Sequence, residues 1–193
     1  MSLLSQPTAI ELQNISDFEG KEIITEGVVK NYYSNSYGNQ VIEIEHQNQS
    51  VKLFLEEETD FEYGDIIQVV GEVQRYKDDW EIIVNDKRFV TILDKWNNIS
   101  FPIWQLAKNP TRYLDINVNV TGYIDIIYDD YFYLVDLDQK YSLIVFYNNI
   151  NISMFSGQKI CALGRFSFDE NKLQYKLDIF EENHGIYYEF RRQ

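Results

Sequence analysis

Cysteine and proline are scarce in this sequence, and both absences narrow what the chain can be. Among 193 residues there is one cysteine, Cys161, and there are three prolines. A single cysteine excludes an internal disulfide framework and any zinc site built from several thiolates. The low proline count, together with only 9 glycines, argues against linker-like or low-complexity sequence. We therefore expect a folded chain, and the lone cysteine fits a reducing compartment.

Long apolar runs are also missing. No run approaches the roughly 20 residues that a membrane-spanning helix needs. Residues 1–10 lack the basic start and the apolar stretch of a signal peptide. We therefore expect a cytoplasmic protein that does not associate with membranes.

Positively charged residues are few compared with negatively charged ones. The chain has 17 Lys and Arg against 31 Asp and Glu, which gives a formal net charge of −14. Binding to phosphates relies on clustered Lys and Arg, so this balance counts against a general affinity for nucleic acid. An acidic surface attracts basic proteins instead.

Aromatic residues, in contrast, are abundant. They make up 16% of the chain, and hydrophobic residues make up 45%. Flat rings suit the pleated, half-buried surface of a sheet better than a helix. The composition therefore predicts a globular protein that is rich in strands.

The two halves of the sequence repeat one pattern. Gly64 and Gly71 lie 93 residues before Gly157 and Gly164, and each pair brackets a similar apolar stretch. Two copies of one unit of under a hundred residues are the natural interpretation of this spacing. We expect two domains, residues 1–96 and 97–193.

Each half has the pattern of five strands, because apolar residues alternate with period two. The strands are predicted near residues 23–29, 40–45, 51–55, 66–76 and 80–84, and again near residues 118–124, 131–136, 141–146, 160–168 and 173–180. Short helical segments are expected between strands and at the lead-ins to each first strand. The link between strands three and four is either a short helix or irregular. A glycine within strands one and four is expected where a strand bends around a small barrel.

Five strands in this order, with glycines in strands one and four, resemble the OB fold, a five-stranded Greek-key barrel. Residues 22–93 run from Ile-Ile-Thr-Glu-Gly-Val-Val to Trp-Glu-Ile-Ile-Val, and they are similar to the OB domains of anticodon-binding proteins and replication protein A. Residues 115–182 follow the pattern more loosely. The resemblance implies an all-β chain of two tandem OB barrels, similar in outline to archaeal single-strand-binding proteins. It also implies binding of single-stranded DNA or RNA, in DNA replication or repair.

Residues that could carry catalysis are few. His46 and His184 are far apart and have no metal-ligand spacing around them, so both are expected at the surface. The sequence contains no phosphate-binding glycine loop and no serine-centred elbow, and residues 56–58 are interpreted as a solvated run of charge. We expect no enzyme activity, no metal and no cofactor.

The resemblance also places a candidate site. OB domains bind single strands across strands two and three, with bases stacked on rings and Lys or Arg following the phosphates. The flanking loops of the first half, at residues 31–39 and 75–80, carry rings and cations. The predicted nucleic-acid-binding residues are Lys30, Tyr32, Tyr33, Tyr37, Lys52, Phe54, Arg75, Tyr76, Lys77 and Trp80.

Other interpretations stay open. Trp80 shares parity with Ile82 and Val84 and would then belong to the core, while Glu43 and Glu45 would repel phosphate. The chain would in that case be an acidic OB-fold accessory subunit that docks a protein partner. The second half has a short first loop and several aspartates, so it is predicted to be a packing or docking module. Those aspartates are Asp129, Asp130, Asp136 and Asp138.

Overall fold

The structure is a computed structural model that describes residues 6–147 and 153–188. The chain divides into two compact units, Met1–Lys95 and Trp96–Gln193. Each unit contains one seven-stranded sheet that closes on itself. We refer to the two units as barrel one and barrel two, and each is described by itself.

Barrel one consists almost entirely of strands. Its strands are β1 (Thr8–Ala9), β2 (Glu22–Ser34), β3 (Gln40–His46), β4 (Gln49–Leu55), β5 (Ile66–Tyr76), β6 (Asp79–Val84) and β7 (Val90–Asp94). Two short 3-10 helices, Leu12–Phe18 and Lys87–Phe89, complete the unit. The link at residues 56–65 is irregular.

Barrel two repeats this plan. Its strands are β8 (Ser100–Pro102), β9 (Ile116–Ile127), β10 (Tyr131–Val135), β11 (Ser142–Tyr147), β12 (Lys159–Asp169), β13 (Gln174–Ile179) and β14 (Gly185–Tyr188). Two short helices, α1 (Ile103–Lys108) and α2 (Pro110–Tyr113), precede β9. Residues 148–152, in the predicted link between strands three and four, lie outside the described residues.

Both rings close in the same order. In barrel one the order is β2-β3-β4-β6-β5, and β5 pairs back with β2. In barrel two the order is β9-β10-β11-β13-β12, and β12 pairs back with β9. The only parallel pairs in these described rings are β4 with β6 and β11 with β13. This is the Greek-key barrel of the OB fold, so the prediction of two tandem OB barrels is confirmed.

Close approach of two strands explains the repeated glycines. At Gly71 in β5, an added Cβ would lie 2.6 Å from the carbonyl oxygen of Ile83 in β6. At Gly164 in β12, it would lie 2.7 Å from the carbonyl oxygen of Asp178 in β13. A carbon atom cannot lie this close to a backbone oxygen, so any side chain would push the strands apart.

The core of barrel one lies inside the ring. Alternate residues of β3 and β4 point inward, and the first 3-10 helix adds Leu12 and Ile15 to the same core. The largest fully buried members in barrel one are Ile23, Ile42, Ile44, Leu53, Leu55, Ile67 and Ile82. Strand periodicity predicted the inward parity of β4, and the burial pattern confirms it. In β3, Ile42 and Ile44 are buried as predicted, but Val41, which was predicted to be exposed, is also only 2% exposed.

Each barrel carries two more strands than the sequence predicted. β1 and β8 lie parallel to the first ring strand of their barrels, and β7 and β14 lie antiparallel to the fourth. These strands are only two to five residues long. Such short segments show too few alternations for a periodicity argument to detect.

Candidate nucleic-acid interface

Strand register determines the outer face of barrel one. The core side chains of β3, β4 and β6 point inward, so the residues between them point outward. One row of outward side chains crosses four neighbouring strands in register. We call this row the apolar strip, and its members are Tyr33, Val41, Phe54 and Ile83. Tyr33 is 50% exposed and Val41 only 2%, so the strip is open to solvent at Tyr33 and buried at its centre.

The rows beside the apolar strip are acidic. Lys52 lies opposite Glu43 on β3 and beside Glu81 on β6. Lys52 is the single cation at the outward positions of β3, β4, β5 and β6, all of which the structure describes. Five carboxylates share those positions. Glu72 lies opposite Ile83 at the end of the strip, and we call the other four the acidic rows: Glu43, Glu45, Asp79 and Glu81. A phosphate on this face would meet more like charge than opposite charge.

The predicted residues on this face are only partly brought together. Tyr33 and Phe54 lie in the apolar strip, and Lys52 lies in the next row. Tyr37 is 87% exposed in the loop between β2 and β3. Two rings and one cation of the predicted site therefore share the sheet face.

Tyr32 and Lys30 lie elsewhere. A β-bulge interrupts the pairing of β2 with β3 between Val29 and Asn31, so Lys30 occupies the irregular position. Tyr32 faces the core side, where its ring centroid lies 4.7 Å from Tyr63. The prediction that Tyr32 faces a ligand is corrected: the bulge turns Tyr33 outward and Tyr32 inward.

The predicted binding residues of the β5–β6 hairpin do not all lie on one face of the sheet. Trp80 packs partly against the core, as its parity with the neighbouring core residues allowed. The Arg75 guanidinium lies 5.7 Å from the Trp80 ring and 3.7 Å from the Asp78 carboxylate. Tyr76 is exposed, with the Lys77 ammonium 5.3 Å from its ring centroid. This hairpin therefore offers one exposed ring and one cation next to it.

Barrel two carries a denser group of rings on its outer face. Tyr128 stacks on Tyr131 with centroids 4.4 Å apart and planes 21° apart. Tyr133 meets both rings edge-on, at 6.4 and 5.9 Å, and Phe146 lies 5.5 Å from Tyr131. We call these four residues the ring cluster. Tyr131, Tyr133 and Phe146 lie on strands two and three of the barrel, where OB domains bind single strands, and Tyr128 lies in the turn between β9 and β10.

Local structure explains how the ring cluster forms. Phe132 and Leu134 are fully buried, so Tyr131 and Tyr133 point outward between them. Tyr131 then lies directly opposite Phe146 on β11. The backbone N–H of Tyr128 donates to the Tyr131 carbonyl at 2.8 Å, which holds the Tyr128 ring over the strand.

Two lysines approach the ring cluster. The ammonium groups of Lys172 and Lys176 lie 5.4 and 5.6 Å from the Phe146 ring centroid. Lys176 also pairs with Asp178 at 2.8 Å. Lys172 makes no ion pair with any residue that the structure describes, so its ammonium can meet an added phosphate.

The ring cluster is uncharged at neutral pH. Partial burial raises the pKa of the Tyr131 phenol, and Tyr128, Tyr133 and the carboxylate of Asp130 raise it further. Burial also raises the pKa of the neighbouring Tyr147, whose hydroxyl donates to the Tyr128 carbonyl at 2.9 Å. The rings therefore present neutral faces, which are suited to stacking.

The sequence prediction placed the site in barrel one, partly because of the aspartates of barrel two. Asp129 and Asp130 border the ring cluster and act on the Tyr131 and Tyr147 phenols. The other two lie at the opposite turn, where Asp136 accepts from the Tyr141 backbone N–H at 2.8 Å and Asp138 lies 3.5 Å from Lys140. The shared outward parity of Tyr131 and Tyr133 was available as a signal, but the pairing with β11 and the position of Tyr128 required the fold.

His184 does not lie at the surface, contrary to prediction. Its side chain is fully buried beside Trp96 and Phe180. Nδ1 accepts hydrogen bonds from the backbone N–H groups of Phe180 and Glu181, both at 3.3 Å. Nε2 lies 3.2 Å from the Glu181 carboxylate. The imidazole therefore holds together the turn that leads into β14.

Within residues 6–147 and 153–188, no helix is long and apolar enough to cross a membrane.

Comparison with known proteins returns likenesses among solved structures only. No protein-family model matches the chain, and no curated protein sequence matches it. A murine DNA-binding protein bound to double-stranded DNA is 14% identical with a TM-score of 0.39, and the match covers 85% of this chain and 98% of that one. The second OB-fold domain of replication protein A from Methanococcus maripaludis is 19% identical with a TM-score of 0.31, covering 40% of this chain and 88% of the domain.

A third likeness is to a chain described as an aspartyl-tRNA synthetase from Leishmania major Friedlin. It is 13% identical with a TM-score of 0.39, and the match covers 49% of this chain and 22% of that one. At these identities and TM-scores, none of the three says what this chain binds. The fold assignment rests on the strand order described above.

Proposed function

We propose that this chain is a non-enzymatic, tandem OB-fold protein that binds single-stranded nucleic acid, with DNA in replication or repair as the first candidate. The observation that carries the proposal is the ring cluster beside Lys172. A stacked pair of tyrosines, with a cation on the neighbouring Phe146 ring, combines the two features that single-strand binding needs. A cytoplasmic location belongs to the same proposal, since a single cysteine fits a reducing compartment.

The energetic basis is stacking rather than overall charge. Each base that stacks on a ring contributes roughly 1–3 kcal/mol, and this contribution is tolerant of sequence because every base has a π-face. We expect the rings of the cluster to hold about two bases, which would give a weak to moderate affinity. The formal net charge of −14 opposes binding at a distance. Salt screens exposed charges beyond about 8–10 Å, so the local lysines decide the phosphate contacts.

Fluorescence anisotropy of the full chain with a labelled oligothymidine tests the proposal. Changing Tyr131 and Phe146 to Ala together should weaken binding by tenfold or more, because about two stacking contacts are lost. The matched control is the pair Tyr33→Ala and Phe54→Ala in barrel one, which should change the affinity little. Circular dichroism checks that both variants stay folded.

Two outcomes contradict the proposal in different ways. If neither DNA nor RNA binds at tens of micromolar protein, the function itself is wrong. If the pair in barrel one costs more affinity than the pair in barrel two, single-strand binding stands. The site then belongs to barrel one, as the sequence predicted.

A further inference from the structure

The outer face of barrel one has the wrong charge for nucleic acid but contains a well-defined apolar strip. The strip crosses from β2 through β3 and β4 to β6 and is bordered by the acidic rows. From these features we infer that this face docks a basic segment of a protein partner that carries an apolar anchor. The inference uses residues of barrel one only, so it is independent of the ring cluster.

Charge complementarity identifies the partner's chemistry. Glu43 and Glu81 flank Lys52 on both sides within one row, and Glu45 and Asp79 lie in the row beyond. A polyanion would be repelled by this arrangement, whereas Lys and Arg side chains would each find a carboxylate.

One of these carboxylates is already held in place. Glu81 is only 7% exposed, and its Oε2 accepts a hydrogen bond from Gln74 at 3.2 Å. A carboxylate that is largely removed from water interacts more strongly with an added cation than a fully solvated one does. The row that contains Glu81 is therefore the most favourable place for a basic side chain.

The apolar strip supplies the anchor. Val41 is almost fully buried by its neighbours, while Tyr33 and Phe54 leave part of their rings open to solvent. An apolar side chain of the partner would cover this remaining ring surface and gain the usual burial energy. No cation lies in the strip itself, whose four residues are all described.

The spacing of the rows defines the shape of the segment. Outward residues on one strand lie roughly 7 Å apart, which is also the spacing of residues two apart in an extended peptide. A segment lying along β3 and β4 would therefore place an apolar residue over the strip and basic residues two and four positions away over the acidic rows. The occupant is thus an extended segment with basic residues at alternate positions.

The test is an NMR titration of the full-length, isotope-labelled chain. The probe is a synthetic peptide of about ten residues, with two leucines followed by lysines at every second position. We expect saturable shifts of outward residues in β3, β4 and β6. The same peptide with glutamate in place of lysine should cause none.

Charge variants separate this inference from nucleic-acid binding on the same face. Lys52→Glu should tighten peptide binding about twofold or more, because it removes the one opposing charge. The double change Glu43→Gln with Glu45→Gln should weaken it about fivefold. The matched control is Asp17→Asn with Glu19→Gln, two exposed carboxylates at the 3-10 helix Leu12–Phe18, which should leave peptide binding unchanged.

The outcomes that overturn the inference are distinct from failure of the proposed function. Absence of shifts with millimolar lysine peptide overturns it. So does an oligothymidine that shifts β3 and β4 and binds more weakly to the Lys52→Glu variant, because the face would then be a nucleic-acid site. Neither result depends on whether the ring cluster binds single strands.

Discussion

The fully buried carboxylate of Asp65 accepts a hydrogen bond from the Lys95 ammonium at 2.8 Å, across 30 residues of sequence. The same carboxylate accepts from the Glu62 backbone N–H at 3.0 Å. This pair ties the start of β5 to the residue that follows β7. It therefore fixes an edge strand of only five residues to the ring.

Removing the ammonium should destabilise barrel one. Lys95→Met leaves the buried Asp65 carboxylate without its cation, and we expect a loss of about 1–3 kcal/mol in the free energy of unfolding, the usual cost of an unsatisfied buried acceptor. Lys87→Met is the matched control. The ion pair of Lys87 with Glu57 at 2.8 Å is half-exposed on both sides and should contribute much less, because solvent screens it. Urea denaturation measures the free energy of unfolding of both variants. Equal losses would contradict the idea that burial makes the Asp65–Lys95 pair the stronger one.

The close strand crossings predict a second effect on stability. Gly164→Ala would place a Cβ 2.7 Å from the Asp178 carbonyl oxygen and 3.0 Å from Leu177 Cγ. Because a backbone oxygen cannot move aside cheaply, we expect a loss of about 1–3 kcal/mol. Ser50→Ala, at an exposed position on β4, should change stability by less than about 0.5 kcal/mol. An unchanged thermal midpoint for Gly164→Ala would show that the crossing can relax.

Salt dependence reports on the lysines beside the ring cluster. Two phosphate contacts to a single strand give a slope of roughly −1.4 for log affinity against log salt concentration. Lys172→Met should reduce the magnitude of this slope by roughly 0.7, because one contact is lost. Lys21→Met, in barrel one, is the control and should leave the slope unchanged. If both variants keep the original slope, Lys172 does not contact phosphate.

The pH dependence of Asp86 is set by its neighbour. The Arg88 guanidinium, through its side-chain hydrogen bonds and charge, lowers the pKa of the Asp86 carboxyl from 3.8 to about 2. The folded pKa lies below the unfolded one, so this contact stabilises above about pH 4 and is lost as the pH falls through about 2. Carboxyl NMR should record this titration. Arg88→Ala should return the midpoint towards 3.8, and an unchanged midpoint would mean that the pair does not form in solution.

Strand positions could be predicted from sequence because they depend on local periodicity. Alternation over β4 predicted that Lys52 and Phe54 point outward, and the burial of that strand confirms it. The repeated glycines likewise marked equivalent positions in the two barrels. Local patterns carry this information because successive side chains on a strand point to opposite faces.

The faces of individual rings could not be predicted, because a single irregularity reverses them. Alternation in β2 gave no sign of the bulge between Val29 and Asn31. One extra residue exchanges the inward and outward sets beyond it, so Tyr33 joins the apolar strip while Tyr32 packs on Tyr63. The face of Trp80 was also left open by the sequence, because this residue lies near the start of β6, where there are too few residues to establish the alternation.

The sequence by itself determined the number of ring strands, their order of appearance and the repeat of one barrel pattern, because these follow from short-range alternation and glycine spacing. Only the tertiary structure decided which side chains meet. Strand pairing placed Phe146 opposite Tyr131, and a turn placed Tyr128 on the Tyr131 ring. The turn between β12 and β13 brought Lys172 to the Phe146 ring. It also placed Glu43 and Glu81 on either side of Lys52. These neighbours come from different strands, and lateral pairing between strands leaves no trace in the order of residues along any one of them.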